Sequence, residues 1–325
     1  VTGTAWHYHP TRKQYHYAAF LPFQPDLNYR NPEVQKAMLD NVRYWLDKGV
    51  DGFRLDIFNS IYEDSLFRNN SGPFNRKYTA NLPECLAFAE KLRAVCDEYG
   101  EKMLIGEITG PRHISRQYCG EQTNNRLTQA FVFEMLRFRF IPRYFHALTA
   151  NMERDFAHPF MPVYVYSNHD RRRAMERLKG NAPKAKLLHL YQLTVRGVPC
   201  LYYGEEIGMR DNKLPYKNAL DPIPHHVKLP RGMVEMADET LNRDDVRTPM
   251  QWSNTKHAGF TTGDTPWLPV HTNYTTCNVQ QSLTDSASLW HSIRKVMHIR
   301  NNMPAFTQGD MELLKPKGLD RKSVV

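Results

Sequence analysis

The 325-residue sequence has no Cys-x-x-Cys pair, no long apolar run and no glycine-rich turn behind any strand-like stretch. Its five cysteines (Cys85, Cys96, Cys119, Cys200 and Cys277) are odd in number and scattered. That argues against a disulfide framework or a zinc site and points to a reducing, cytoplasmic setting. Cys85 and Cys96 fall in a helical pattern and read as small buried apolar residues. No stretch approaches the ~20 apolar residues that a membrane-crossing helix needs, so no membrane partner is expected. No leader peptide is visible, and a start at Val1 rather than Met leaves the natural N-terminus undefined. The absence of Gly-x-Gly-x-x-Gly counts against a dinucleotide-binding fold. A net charge of +9 invites a nucleic-acid reading. The basic residues are spread along the chain, however, and no basic–aromatic module gathers them, so no nucleic-acid partner is expected. There is no low-complexity tract, and the only repetition is the strand–helix unit itself.

What is there suits a globular core: 41% of residues are hydrophobic and 12% aromatic. Val1–Pro25 reads as irregular. Asn31-Pro32-Glu33 opens a helix, with Val34, Met38, Leu39, Val42, Trp45 and Leu46 as its apolar face and Gly49 as its stop. A strand follows in Val50–Leu55. Asn59–Asn81 is a long polar loop. Further helices are expected over Pro83–Tyr99, Pro111–Tyr118, the aromatic stretch up to Ala150, Ala182–Arg196 and Leu289–Asn301. Further strands are expected at Met103–Gly106, Ala130–Phe133, Val163–Tyr166 and Val198–Tyr203. Ile207–Phe260 reads as loop. Short, almost wholly apolar strands alternating with helices predict an α/β fold with a parallel sheet covered by helices. An open sheet and a closed barrel both satisfy this pattern.

Four strands deliver an acid at their C-terminal ends: Asp56, Glu107, Glu134 and Asp170. In a parallel barrel those ends share one rim, so the acids face a common cavity. Arg54 shares a strand face with Asp56, because side chains alternate with period two. Converging carboxyl groups perturb one another, which favours one ionised and one protonated. That is the equipment of glycoside hydrolysis, in which a carboxylate attacks the anomeric carbon and an acid protonates the leaving oxygen. Helix capping accounts for any one of these acids but poorly for the set. A second reading makes His169, Asp170 and Glu107 ligands of a divalent ion, although no His-x-His or His-Glu-x-x-His spacing supports it.

At these residues the chain resembles the α-amylase superfamily, glycoside hydrolase family 13, and within it the oligo-1,6-glucosidase and α-glucosidase subfamily. The resemblance rests on Gly52-Phe53-Arg54-Leu55-Asp56, Gly106-Glu107 and Ser167-Asn168-His169-Asp170. It is extended by Gln24-Pro25-Asp26-Leu27-Asn28, Gly197–Glu205 and Arg247-Thr248-Pro249-Met250-Gln251-Trp252, and it covers nearly the whole chain. It implies a TIM-type barrel and a retaining mechanism on short α-glucosides such as isomaltose, with α-1,4 linkages as a further class. By the same resemblance Asp56 is the nucleophile and Glu107 the acid and then the base. Asp170 grips sugar hydroxyls and stabilises the transition state. Arg54 orients Asp56, while Asn168, His169 and Arg243 complete the sugar site. Glu134 matches no motif. Ile57, directly after the nucleophile, stands where the subfamily carries valine with α-1,6 preference or threonine with α-1,4 preference, and its apolar branched side chain points to α-1,6.

The chain is expected to be a fragment: a partial (β/α)8 barrel holding about strands four to eight. Residues 1–28 are then the tail of an inserted subdomain, 29–305 the C-terminal part of the barrel, and 306–325 the barrel exit with a non-native tail, Asp320–Val325, from read-through into adapter sequence. No cofactor is expected in these residues. A calcium site would belong to the part of the barrel that precedes them, and the partner is a small oligosaccharide. Trehalose-6-phosphate hydrolysis, with Arg171–Arg173 on the phosphate, and glucosyl isomerisation are the rival activities. A non-catalytic relative resembling a transporter heavy chain is the rival of another class.

Overall fold

The computed structural model describes residues 4–72, 75–123, 125–226, 232–233 and 240–314. They divide into two compact units. One runs to Val132 and takes in His158–Phe160; the other comprises Phe133–Ala157 and the chain from Met161 onward.

The first unit begins with a feature the sequence reading had as irregular. Strands β1 (Trp6–His9) and β2 (Gln14–Tyr17) form an antiparallel hairpin in the register Trp6↔Tyr17, Tyr8↔Tyr15. The signal is the alternation Trp-His-Tyr-His against Tyr-His-Tyr, which puts aromatics on one face and histidines on the other. The facing rings meet at centroid distances of 5.4 Å for Trp6–Tyr17 and 5.2 Å for Tyr8–Tyr15. The Gln24–Asn28 stretch is tied to the hairpin: Asp26 N–H donates to Tyr17 O (3.0 Å), and its carboxylate accepts from Ala19 N–H (2.7 Å).

Helix α1 (Pro32–Asp47) starts as expected, with Asn31 accepting from Glu33 N–H at 2.9 Å. Its expected apolar face is only partly covered. Leu46 is buried, whereas Trp45 is 53% exposed. Strands β3 (Gly52–Leu55), β4 (Met103–Gly106) and β5 (Gln129–Val132) then pair in parallel in that order, with α2 (Pro83–Asp97) and α3 (Arg112–Gln117) in the connections. Gly52 is required where β3 meets β4, since a β-carbon there would lie 2.0 Å from Met103 O. Leu104, Ile108, Leu127, Ala130 and Val132 are buried, as are Cys85, Ala89, Leu92 and Cys96 of α2, so both cysteines are buried as expected.

In the second unit α4 (Pro142–Asp155) precedes β6 (Val163–Val165), and α5 (Ala174–Arg177) and α6 (Ala182–Thr194) lead to β7 (Val198–Cys200), which pairs in parallel with β6. Four short helices, α5, Ile223–His226, Val279–Thr284 and Pro304–Thr307, were not expected, because four to six residues are too few to display a period. β7 ends three residues sooner than expected. Gln192 from α6 binds both strands, donating to Tyr164 O at 2.9 Å and Cys200 O at 3.0 Å. Helix Leu289–Asn302 packs on α6. From it the buried Arg300 donates to Leu193 O (2.9 Å) and Gly197 O (2.5 Å), satisfying carbonyls left open where α6 stops.

No helix among the described residues is long and apolar enough to cross a membrane. The expected adapter-derived tail, Asp320–Val325, lies outside the described residues.

Candidate active site

Each unit carries one part of the expected site. In the first, β3 and β4 lie in register with Arg54 opposite Ile105 and Leu55 opposite Gly106, so Asp56 and Glu107 emerge side by side at the ends of adjacent parallel strands. The backbone joins them directly: Glu107 N–H donates to Leu55 O (2.8 Å), and Phe58 N–H donates to Glu107 O (3.1 Å). That second bond requires the chain to turn back at once after Asp56. Ile57 makes the turn in the left-handed region, at φ 37° and ψ 42°. A β-branched residue is an outlier there.

Arg54 donates from one terminal nitrogen to Asp56 Oδ1 and from the other to Glu107 Oε2. A guanidinium is a rigid planar fork, so two carboxylates held on its two prongs are close neighbours. Burial opposes the Arg54 charge, but the two carboxylates outweigh it and push its pKa up. The environments of the two acids differ sharply. The Asp56 side chain is 77% exposed and that of Glu107 only 7%. Three of the expected residues are thus brought together with Ile57 at their junction.

In the second unit β6 runs into Ser167–Asp170. Buried Ser167 donates to the Glu205 carboxylate and accepts from Ala174 N–H (2.8 Å), while Glu205 Oε2 accepts from Tyr202 N–H (2.8 Å). Burial pushes the Glu205 carboxyl pKa up, against the pull of His189 and Ser167. This lock holds the base of the Asn-His-Asp turn. Asn168 serves the turn itself, its side-chain oxygen accepting from Asp170 N–H at 3.0 Å. His169 Nε2 stands 3.5 Å from Asp170 Oδ2.

The other carboxylate oxygen, Asp170 Oδ1, accepts from Arg243 Nη1 (3.2 Å) and from Arg247 Nη2 (2.8 Å), and Arg247 Nε also donates to His169 O (2.8 Å). Arg243, expected in the sugar site, thus lies against Asp170. In the sequence Arg247 is marked only as the first residue of a motif, and nothing marks Asp221, which holds Arg243 from behind. No local spacing signals Asp221, because it meets Arg243 only through folding.

Two members of the basic run Arg171–Arg173, raised for a rival phosphate role, are engaged within the fold. Arg173 is fully buried, donates to Tyr203 O (2.6 Å) and Val246 O (2.9 Å), and lies over the Tyr202 and Tyr203 rings. Arg172 is paired with Asp211 at 3.2 Å and Glu176 at 3.6 Å. Burial raises the Asp211 carboxyl pKa to about 6, even though Arg173 N–H and Arg172 oppose it. These two arginines brace the fold. Glu134 sits in a 3-10 turn, where its backbone oxygen accepts from Tyr144 OH at 3.3 Å. Among the described residues no group of three His, Cys, Asp or Glu side chains is placed to hold a metal ion.

Residues 1–309 match the alpha amylase catalytic domain family. The chain is similar to a probable alpha-glucosidase of Rhizobium meliloti (strain 1021), at 33% identity over 97% of this chain and 60% of that protein. An oligo-1,6-glucosidase of Heyndrickxia coagulans is 31% identical over 97% and 62% of the two chains. A trehalose-6-phosphate hydrolase of Escherichia coli (strain K12) is 28% identical over 97% and 61%. Among solved structures, the alpha-glucosyl transfer enzyme XgtA superposes with a TM-score of 0.83 at 33% identity, covering 94% of this chain and 58% of that one. The chain thus spans about 60% of the length of the curated relatives it matches.

Proposed function

Because this chain belongs to the α-amylase catalytic-domain family, the glycosidases of family 13, we propose that the protein carrying it is a retaining α-glucosidase acting on short, unphosphorylated α-glucosides. The family fold is the (β/α)8 barrel. In this reading the described βα units are about its fourth to eighth, residues 1–28 close an inserted subdomain, and 29–305 complete the barrel.

The observation that carries the proposal is the Asp56–Arg54–Glu107 bridge at the ends of adjacent parallel strands. Carboxyl groups of a retaining pair stand ~5–5.5 Å apart, and sharing one guanidinium suits that spacing. Exposed Asp56, held by Arg54, attacks the anomeric carbon through its carboxylate. Glu107 gives its proton to the departing glycosidic oxygen as that bond breaks, leaving a glucosyl ester on Asp56. Glu107, now ionised, takes a proton from water as the water oxygen attacks the same carbon, and Asp56 leaves. Two inversions give net retention. By the family resemblance Asp170, with His169 and Arg243, is assigned the sugar hydroxyls and the stabilisation of the positive charge that develops on the ring.

The phosphate-sugar reading loses support from Arg172 and Arg173, both engaged within the fold. Glucosyl isomerisation shares the ester intermediate and differs only in which hydroxyl accepts the glucosyl group, so product analysis separates it. In the complete protein, Asp56→Asn and Glu107→Gln are each expected to lower kcat on isomaltose by about 10³-fold or more. Glu107→Gln should recover markedly on a nitrophenyl α-glucoside, whose leaving group needs no proton, and Asp56→Asn should not. Full activity in either variant on isomaltose overturns the proposal.

A further inference from the structure

Behind Arg243 lies an acid that the proposed reaction does not use. The Asp221 side chain is 0% exposed. It takes Arg243 from three directions: Oδ2 accepts from the backbone N–H (2.7 Å) and from Nε (2.9 Å), and Oδ1 accepts from Nη2 (2.9 Å). Asp221 is itself fixed, its backbone N–H donating to Asp244 Oδ2 (3.2 Å) and its Oδ1 accepting from Ile223 N–H (3.2 Å). The edge of the guanidinium formed by Nε and Nη2 is thereby spent, and the prong left over, Nη1, is the one that reaches Asp170.

We infer that Asp221 is a positioning residue for the glucosidase reaction proposed above: it aims Arg243 at Asp170 and neutralises it. Two physical effects carry this. Arginine has about 2 kcal/mol of rotamer freedom to lose, and a half-buried arginine without a rear anchor would not keep one prong on Asp170. The charges also alternate, in the order Asp221, Arg243, Asp170, Arg247, and sum to zero. Removing the Asp221 charge makes the same wall one unit more positive. A sugar ring that becomes oxocarbenium-like gains positive charge in the transition state, so an uncompensated guanidinium opposes catalysis more than it opposes binding of the neutral substrate. For a unit charge close to the ring at an effective dielectric of about 20, the penalty is on the order of 10–50-fold in rate.

The test is a double-mutant cycle in the complete protein, on a nitrophenyl α-glucoside, with rates normalised to folded enzyme. Asp221→Asn keeps the shape and removes the charge. It is expected to lower kcat about 10–50-fold with KM changed less than threefold. In an Arg243→Ala background the same substitution should change kcat by less than about twofold, since Asp221 then has no arginine to aim and, fully buried without a cation, holds a proton and has no charge to lose. Equal losses in both backgrounds would mean a merely structural role and overturn the inference, as would no loss in the Arg243 enzyme. If Asp221→Asn does not fold, Asp221→Glu, which displaces the carboxylate by one methylene, carries the same cycle with the loss again confined to the Arg243 enzyme. An unsubstituted protein that hydrolyses no α-glucoside overturns the glucosidase reading itself, and a wild-type rate on that substrate with an additive cycle overturns only the role of Asp221.

Discussion

Ile57 holds a left-handed backbone that costs a β-branched residue on the order of 1–3 kcal/mol. The return is the Phe58–Glu107 backbone bond, which holds Glu107 beside the strand that carries Asp56. Threonine is branched at the same carbon, so Ile57→Thr leaves the backbone cost nearly unchanged and isolates the effect of a hydroxyl beside the nucleophile. The ratio of maltose to isomaltose cleavage in the complete protein is expected to rise severalfold in this variant. An unchanged ratio would detach residue 57 from linkage preference. At this scale the sequence was informative wherever partners are close along the chain. Arg54 and Asp56 are two apart on one strand and do meet. Arg243 was traceable only through a motif, and Asp221 was not traceable at all, because residues 22 apart in loop have no periodicity to connect them.

Among the elements, the loop after β3 holds a titratable contact with the stretch that follows the hairpin. Glu63 is half-buried there. Burial first, and then the nearby Asp26 carboxylate, raises its pKa from 4.5 to about 7. Burial raises the Asp26 carboxyl pKa as well, against a hydrogen bond from Ala19 N–H. Arg30 anchors this loop through the Glu63 backbone oxygen at 2.6 Å rather than through its carboxylate. A carboxyl group whose folded pKa is raised contributes stability that is fully present below its unfolded value near 4.5 and is lost as pH climbs through about 7. Glu63→Gln, neutral at every pH, should therefore be more stable than the parent at pH 8. After discounting for solvent screening the gain is about 1 kcal/mol, and it should shrink steadily towards pH 5. Urea midpoints at the two pH values check this, and equal differences at both would sink it. The principal helices and strands were legible from period and caps, with most ends off by one to three residues and the end of α4, at Asp155 rather than Ala150, off by five. The hairpin was not, because its alternating aromatics and histidines lie between proline and glycine signals that read as loop.

For the molecule, β3 hydrogen-bonds only to β4 among the described residues, which leaves its other edge as an open row of backbone donors and acceptors. Open parallel edges promote association. Trp45 and Tyr44 of α1, both more than half exposed, add apolar surface in the same unit. The 325-residue chain purified alone is expected to elute as large assemblies and to hydrolyse nitrophenyl α-glucoside at less than about 1% of the rate of the complete protein. A monodisperse, fully active preparation would contradict this. The order of strands and helices and the acids at strand ends were set by the sequence alone, because hydrophobic period and chain punctuation are local properties. So were the residues that mark the family. Which arginines serve the candidate site and which brace the fold was decided only by tertiary structure. Arg243 and Arg173 are the same side chain in the same kind of sequence, yet one reaches Asp170 and the other is buried on two carbonyls. A guanidinium's role depends on which acceptors surround it, and folding alone brings those acceptors within reach.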